Sequence, residues 1–451
     1  MKVKLIGNAY RYAGEQMLLT LFPSVRPEFV EEIPEVDDCV ILTVRDTKKF
    51  IWGEAAVRIE GVQHTAHART PFSEDPLLYK RNAQQAQKLA FYRAALPFLE
   101  RRPPWGAMTG IRPAKIAARL FAEGNDAAGV DRILKNGYYV TARRRALAMD
   151  VARAGDAVRK RNGRMDASVY LGIPFCVSRC SYCSFVSHSI DRAGHLVEPY
   201  LDALFWEMEH TGRVARELGL SIKTIYIGGG TPTALNEDQL ARLLAAVSQN
   251  FDRSSLLEYT VEAGRPDTMN AEKLRIIKDA GATRISINPQ TMEDSVLEAI
   301  GRKHTAQDVV EQVAATRTLG GLAINMDLIA GLPGDTPAGF ARTLEKTLAL
   351  EPENLTVHTL AMKRGATLHE QGAAQPDGNA VAQMVELAAK TLPRHGYAPY
   401  YLYRQKYMAG NLENVGYTKP GYEGLYNIYI MEEIHSILSL GAGGVSKLVC
   451  P

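Results

Sequence analysis

The chain has 451 residues, 46% hydrophobic and 23% charged, with a formal net charge of +3. This is ordinary for a globular protein with a large core, and the length implies two or three domains. So small a charge argues against a nucleic-acid or acidic-surface partner, and the absence of an apolar leader or of a bilayer-length apolar run points to a cytoplasmic protein with no membrane span.

The part up to about Arg164 reads as a separate α/β unit. Val36 to Val44 and Phe50 to Ile59 look like neighbouring strands joined by the polar turn DTKK. Cys39 alternates with apolar residues there and reads as core. Tyr79 to Arg101 predicts a long helix ended by Pro103 and Pro104. The basic run Arg159 to Arg164 reads as a linker. From Ser168 strands and helices alternate. Candidate strands are 168–173, 223–228, 257–263, 283–288, 323–329 and 354–360. Candidate helices between them include Val197–Leu218, Glu237–Gln249, Ala271–Ala280 and Ala306–Leu319. Such alternation implies a parallel sheet with right-handed crossovers, as an open partial (β/α)6 barrel or a doubly wound sheet. Past about Lys363 the alternation stops, Glu386–Arg394 continues a helix, and a Tyr-, Gly- and Asn-rich stretch follows. The expected division is 1–164 (α/β domain and linker), 165–365 (barrel) and 366–451 (C-terminal α+β extension).

Chemistry concentrates after the first barrel strand, in YLGIPFCVSRCSYCSF. Cys176, Cys180 and Cys183 have the spacing C-x3-C-x2-C. A cuboidal iron–sulfur cluster needs thiolates converging from a short loop, usually four of them. Here three are local, and Phe185 stands where a further nearby cysteine might sit. Three ligands would leave one iron open to bind and reduce something. Structural zinc with His188 or His195 as fourth ligand, and plain buried cysteines, are the alternatives. Five cysteines in all, three within eight residues, do not resemble a disulfide framework. Cys450 is uninformative.

The other candidate residues sit at strand ends, where barrel active sites lie. Gly228-Gly229-Gly230-Thr231-Pro232 follows the second strand and permits close backbone approach to a ligand, although a tight turn needs the same glycines. Glu262 ends the third strand, where a carboxylate is costly unless paired. Gln290 and Arg302 follow the fourth; Arg302 can grip a carboxylate or serve as a helix-end cation. Asp327 lies within the apolar fifth strand, as a functional group or part of a buried ion pair.

Taken together, IPFCVSRCSYC, YIGGGTPTAL, RISINPQT, GRKHT and DLIAGLPGDT resemble the oxygen-independent coproporphyrinogen III oxidase branch of the radical S-adenosylmethionine (SAM) superfamily. The flanking strings WGAMTGIRPAKI, YYLYRQKYMAGNLENVGYTKPG and MEEIHSILSLGAGGVSKL are similar to the HemZ-type coproporphyrinogen dehydrogenases, which extends the likeness over nearly the whole chain. The resemblance implies a [4Fe–4S] cluster on Cys176, Cys180 and Cys183 and a SAM site formed by Tyr170, Gly229, Gly230, Thr231, Glu262, Gln290, Arg302 and Asp327, with Tyr182 and Ala361 as further contacts. In that family the open iron binds SAM, and an electron from the cluster releases methionine and a 5′-deoxyadenosyl radical. The reaction implied is oxidative decarboxylation of two propionates of coproporphyrinogen III to vinyl groups, giving protoporphyrinogen IX in heme biosynthesis. The implied partners are the tetrapyrrole substrate or heme and a low-potential electron donor such as flavodoxin or ferredoxin.

The alternative is a heme-binding chaperone on the same scaffold: two departures weigh against the substrate assignment, of which Phe185 supports the chaperone, while the tail RQKYMAGNLENVGY supports the dehydrogenase. Phe185 replaces the extra cysteine of the dehydrogenases, an aromatic shared with the heme-chaperone branch, and Asn288-Pro289 replaces a glycine and a small apolar residue. The chain stops directly after GAGGVSKL, where relatives continue, which suggests a truncated C-terminal domain. Tyr400, Tyr401, Tyr403 and Tyr407, with Arg404 and Lys406, either line a pocket for a carboxylate-bearing tetrapyrrole or pack the C-terminal part on the barrel. Arg112 and Lys115 read as substrate contacts or as interdomain glue. His304 and His358 read as structural histidines.

Overall fold

A computed structural model describes residues 1–7, 10–32, 37–363, 365–374, 376–405 and 408–449. The chain divides into two compact units, Met1–Met149 and Asp150–Pro451, the boundary falling within the helix Ala142–Arg159. No helix among the described residues is long and apolar enough to cross a membrane.

The first unit is a five-stranded sheet of order β2-β1-β3-β4-β5. Its strands are β1 (Lys2–Ile6), β2 (Glu28–Phe29), β3 (Cys39–Asp46), β4 (Phe50–Ile59) and β5 (Val62–Pro71). β3 and β4 pair antiparallel with Cys39 opposite Arg58, and Cys39 is buried. Val36, the expected start of β3, lies outside the described residues. The helix Pro76–Ala95 lays Leu89, Ala90, Phe91 and Tyr92 on Val40, Leu42 and Val57. It starts on Asp75, whose carboxylate accepts from the Leu77 and Leu78 amides. It ends at Ala95, earlier than expected, because Pro97 lacks an N–H and its ring obstructs a carbonyl one turn back.

The second unit is an open nine-stranded sheet of order β14-β15-β13-β12-β11-β10-β9-β6-β16. Six strands run parallel in simple succession: β6 (Asp166–Ile173), β9 (Ser221–Gly229), β10 (Glu258–Glu262), β11 (Arg284–Ser286), β12 (Ala323–Ala330) and β13 (Asn354–Thr359). Between β6 and β9 lies a small pair, β7 (Phe175–Cys176) with β8 (His188–Ser189). The connecting helices are Val197–Glu217, Glu237–Asn250, Ala271–Asp279, Ala306–Leu319 and Pro337–Ala349. Local chemistry starts most of them. Asn236 with Gln239 and Thr305 with Asp308 form capping boxes, and Asn270 and Thr336 cap the next two. The strands alternate: Val169, Leu171, Ile225, Ile227, Tyr259, Val261, Ile324 and Met326 on one face join helix residues such as Leu201, Leu240 and Leu274 in one large core, while the other face carries polar groups such as Thr224, Thr260, Ser286, Asn325 and Thr356.

The segment past residue 365 does not stand apart from this sheet. After the helix Gly378–Arg394, β14 (Ala398–Tyr403) and β15 (Asn414–Thr418) form an antiparallel pair, and β15 adds antiparallel to β13. β16 (Ser436–Gly441) adds parallel to β6 at the opposite edge. Both edges of the six-stranded unit are thereby covered, which removes two rows of unpaired backbone groups. In this register Gly416 faces Thr356, and a Cβ at 416 would stand 1.9 Å from the Tyr401 ring.

Glu258 ties the C-terminal helix Leu425–Glu432 to β10. Its buried carboxylate accepts from the Leu425 amide at 2.7 Å and the Tyr426 amide at 3.2 Å, and lies 3.5 Å from Arg284. Glu258→Ala leaves two helix N–H groups without their acceptor and the buried Arg284, which still donates to the Tyr422 carbonyl, without its counter-charge. It is expected to cost about 3 kcal/mol by urea denaturation, and an unchanged midpoint would contradict this anchoring role.

Candidate active site

The loop from Phe175 to His188 lies at the C-terminal end of β6, and neighbouring strand ends hold it. The Thr231 amide donates to the Phe175 carbonyl at 2.7 Å, and the His188 amide to that of Pro174 at 2.8 Å. The Ser181 amide donates to Ile300, and Ser181 in turn accepts from the Leu368 amide. Arg265 spans the gap: its guanidinium donates to the Ser178 carbonyl and hydroxyl while gripping both oxygens of Asp267. His304 is buried 3.7 Å from the same carboxylate. Burial alone would raise the Asp267 carboxyl, but His304 and Arg265 hold it well below the usual carboxylate range.

So restrained, Cys176, Cys180 and Cys183 line one cavity of about 340 Å³. Thr231 donates its hydroxyl to the Cys176 sulfur at 3.4 Å. Burial pushes the Cys176 and Cys183 thiols up, so binding metal there must displace protons. Among the described residues no group of three or more His, Cys, Asp and Glu side chains is gathered closely enough to hold a single metal ion. Three thiols carried by one short loop into one cavity are the donor type that holds an iron–sulfur cluster.

The remaining cavity wall matches most of the expected ligand set. Gly229, Gly230, Thr231, Glu262, Gln290, Arg302, Asp327, Tyr182 and Ala361 all line it. Gly229 has φ +106°, and a Cβ on Gly230 would stand 2.6 Å from the Phe175 carbonyl oxygen, so this turn needs glycine at both positions. Gln290 is buried with φ +66°, a strained conformation for a residue with a side chain, and its amide oxygen has no hydrogen-bond partner. Its backbone is fixed by bonds to Asp327 and Ile329. Arg302 donates to the Asn288 carbonyl at 2.6 Å, to that of Gly264 at 3.2 Å and to the Tyr182 hydroxyl at 3.4 Å. Burial alone would lower it, but Tyr182 and Cys180 keep it firmly charged.

Tyr170 is not part of the cavity wall. Its ring stacks on Tyr226 and Tyr426 at 6.1 and 6.0 Å, one ring behind the surface. Tyr226 takes the wall position and hydrogen-bonds Glu262. It occupies an inward position of a strand where the sequence singled out only the glycines that follow. His358 also lines the cavity, 3.7 Å from the Asp327 carboxylate and 3.3 Å from the Tyr403 hydroxyl. Tyr401 and Tyr403 reach the wall from β14, whereas Tyr400 is buried behind it and Arg404 donates to the Asn411 carbonyl. Tyr407 and Lys406 lie outside the described residues, as does Cys450. Phe185 lines the rim and is 67% exposed.

Residues 170–347 match the family model described as the radical SAM superfamily. The oxygen-independent coproporphyrinogen-III oxidase-like protein HemZ of Bacillus subtilis is 40% identical over 355 residues, covering 76% of this chain and 70% of that one. The heme chaperone HemW of the same organism is 35% identical over 283 residues, covering 61% and 70%. The solved structure of coproporphyrinogen III oxidase (HemN) from Escherichia coli matches with a TM-score of 0.53 at 23% identity, over 66% of this chain and 68% of that one, a likeness of fold. The chain belongs to the radical SAM superfamily, in the family that holds the HemZ, HemW and HemN proteins. Radical SAM proteins use a [4Fe–4S] cluster and SAM, and the thiols, the glycine turn and the unpartnered Gln290 oxygen suit both groups.

Glu262 gives the site a testable signature. Burial and nearby Asp327 raise its carboxyl from 4.5 to about 7, against the opposing hydrogen bonds of Tyr226 and Gly229. The folded chain therefore holds this proton more tightly than the unfolded chain. The resulting stability is complete below pH 4.5 and is lost as pH rises through about 7. Glu262→Gln cannot ionise, so the urea midpoint of wild type relative to this variant should fall across that window. A difference that stays flat would contradict a neutral, buried Glu262.

Proposed function

We propose that this protein is a radical SAM oxidoreductase of heme biosynthesis that oxidatively decarboxylates coproporphyrinogen III to protoporphyrinogen IX. The observation that carries the reading is the convergence of three loop thiols, the glycine turn, Gln290, Arg302 and Asp327 on one cavity whose remaining wall includes Tyr401 and Tyr403. When bound and reduced, the cluster and SAM supply a 5′-deoxyadenosyl radical able to take a hydrogen atom from a propionate β-carbon.

The chain's own residues then have distinct tasks. Cys176, Cys180 and Cys183 would hold the cluster, three thiolates for four irons. Gly229 and Gly230 let backbone approach SAM, while Gln290, Arg302, Glu262 and Asp327 orient its polar groups, with Thr231, Tyr182 and Ala361 completing the wall. Tyr170 acts from behind by fixing the Tyr226 ring. The aromatic faces of Tyr401 and Tyr403 suit a planar macrocycle. Breaking the bond to the carboxylate as carbon dioxide, with one electron passed to an external one-electron acceptor, would turn the substrate radical into the vinyl group. A low-potential donor such as flavodoxin or ferredoxin supplies the initiating electron.

A second reading, a heme carrier, has support from the exposed Phe185 and the likeness to HemW. Anaerobic turnover with coproporphyrinogen III, SAM and reductant is expected to give vinyl products from the wild type. Cys183→Ala is expected to lose cluster absorbance, SAM cleavage and product together. SAM cleavage with no vinyl product, alongside stoichiometric heme retention, would overturn the oxidase in favour of the carrier.

A further inference from the structure

Lys363 lies just past β13 and lines the same cavity as the cysteine loop and Asp327. Other cations of that wall are already engaged. Arg179 donates to the Gly365 carbonyl at 2.6 Å, Arg265 grips Asp267, and Arg302 donates to carbonyls. The cavity's two carboxylates are engaged as well. Glu262 is hydrogen-bonded by Tyr226, and Asp327 accepts from Asn325 at 3.0 Å and faces His358. The carbonyl of half-buried Lys363 accepts from the Ala366 amide at 3.2 Å, but its ammonium has no hydrogen-bond or ion-pair partner among the described residues. Cys183 is near enough to act on it electrostatically, but no carboxylate is paired with it among the described residues, so a partly desolvated ammonium here gains from an anionic ligand.

We infer that Lys363 is an anion anchor that binds a carboxylate of the substrate. It rests on the proposed function for the identity of that carboxylate, a propionate of the tetrapyrrole. The position is apt, because a wall that joins the aromatic rings of Tyr401 and Tyr403 to the Lys363 ammonium matches a flat apolar macrocycle carrying acidic side chains. SAM also bears a carboxylate, so the test has to separate the two sources.

The reconstituted holoprotein, Lys363→Met and Lys363→Arg are titrated with heme, with heme dimethyl ester and with SAM. Lys363→Met is expected to weaken heme binding by about tenfold or more, the scale of a lost charge-assisted bond. Lys363→Arg should retain most of the affinity, the dimethyl ester should bind wild type and Lys363→Met alike, and SAM affinity should not move. Equal heme binding by wild type and Lys363→Met would overturn the inference. So would a loss confined to SAM, or a change confined to the cluster's reduction potential, which would make Lys363 merely a neighbour of Cys183. Heme titration requires no turnover. Absence of vinyl product together with heme binding that depends on Lys363 would therefore sink the oxidase reading and leave the anchor standing.

Discussion

The site depends on how the cysteine loop is held. Three thiols can serve one cluster only if a short, otherwise irregular segment is kept in a single shape with its side chains turned to the same space. Backbone bonds from Thr231 and to Ile300, together with the Arg265 bridge from Asp267 to Ser178, impose that shape from the ends of neighbouring strands. Arg265 is buried and charged, and Asp267 stays ionised beside it, so the bridge is a compensated pair rather than an isolated charge. Loss of this clasp would release the loop without altering a single ligand.

The cavity is also shared between segments far apart in the chain. β13 alone would end the six-stranded unit with an exposed edge. The addition of β15 and then β14 seals it and carries Tyr401 and Tyr403 to the wall, where Tyr403 meets His358 and Tyr401 meets Thr356 at 3.1 Å. The close fit of Gly416 under the Tyr401 ring fixes that aromatic position. The nine-stranded sheet therefore carries the aromatic side of the cavity on β14, while the thiols come from the loop that follows β6.

Much of this was legible in the residues. The β/α alternation was readable because short segments with apolar residues at every second position, such as Val169-Leu171-Ile173 and Ile225-Ile227, alternate with helices that begin on explicit caps such as Asn236, Asn270 and Thr305. The Pro337–Ala349 helix carries a similar signal in Thr336-Pro337. β14 and β15 were not legible, since a Tyr-, Gly- and Asn-rich stretch shows neither period and its pairing with β13 is set across the fold. The cysteine spacing and the strand-end glycines located the cavity. The roles of Tyr226, Arg265 and Lys363 were hidden because each depends on a neighbour, or on the lack of one, that only the folded chain reveals. Tyr170 shows the converse, a residue singled out in the sequence that stands one ring behind the wall.

The central claim is that three thiolates leave one iron of a four-iron cluster without a protein ligand. Mössbauer spectroscopy of protein reconstituted anaerobically with 57Fe, recorded with and without SAM, tests it most directly. The account predicts that one iron of the four changes its isomer shift and quadrupole splitting when SAM is added, while the other three do not. A cluster whose four irons all ignore SAM, or stoichiometric zinc in place of iron, would contradict it.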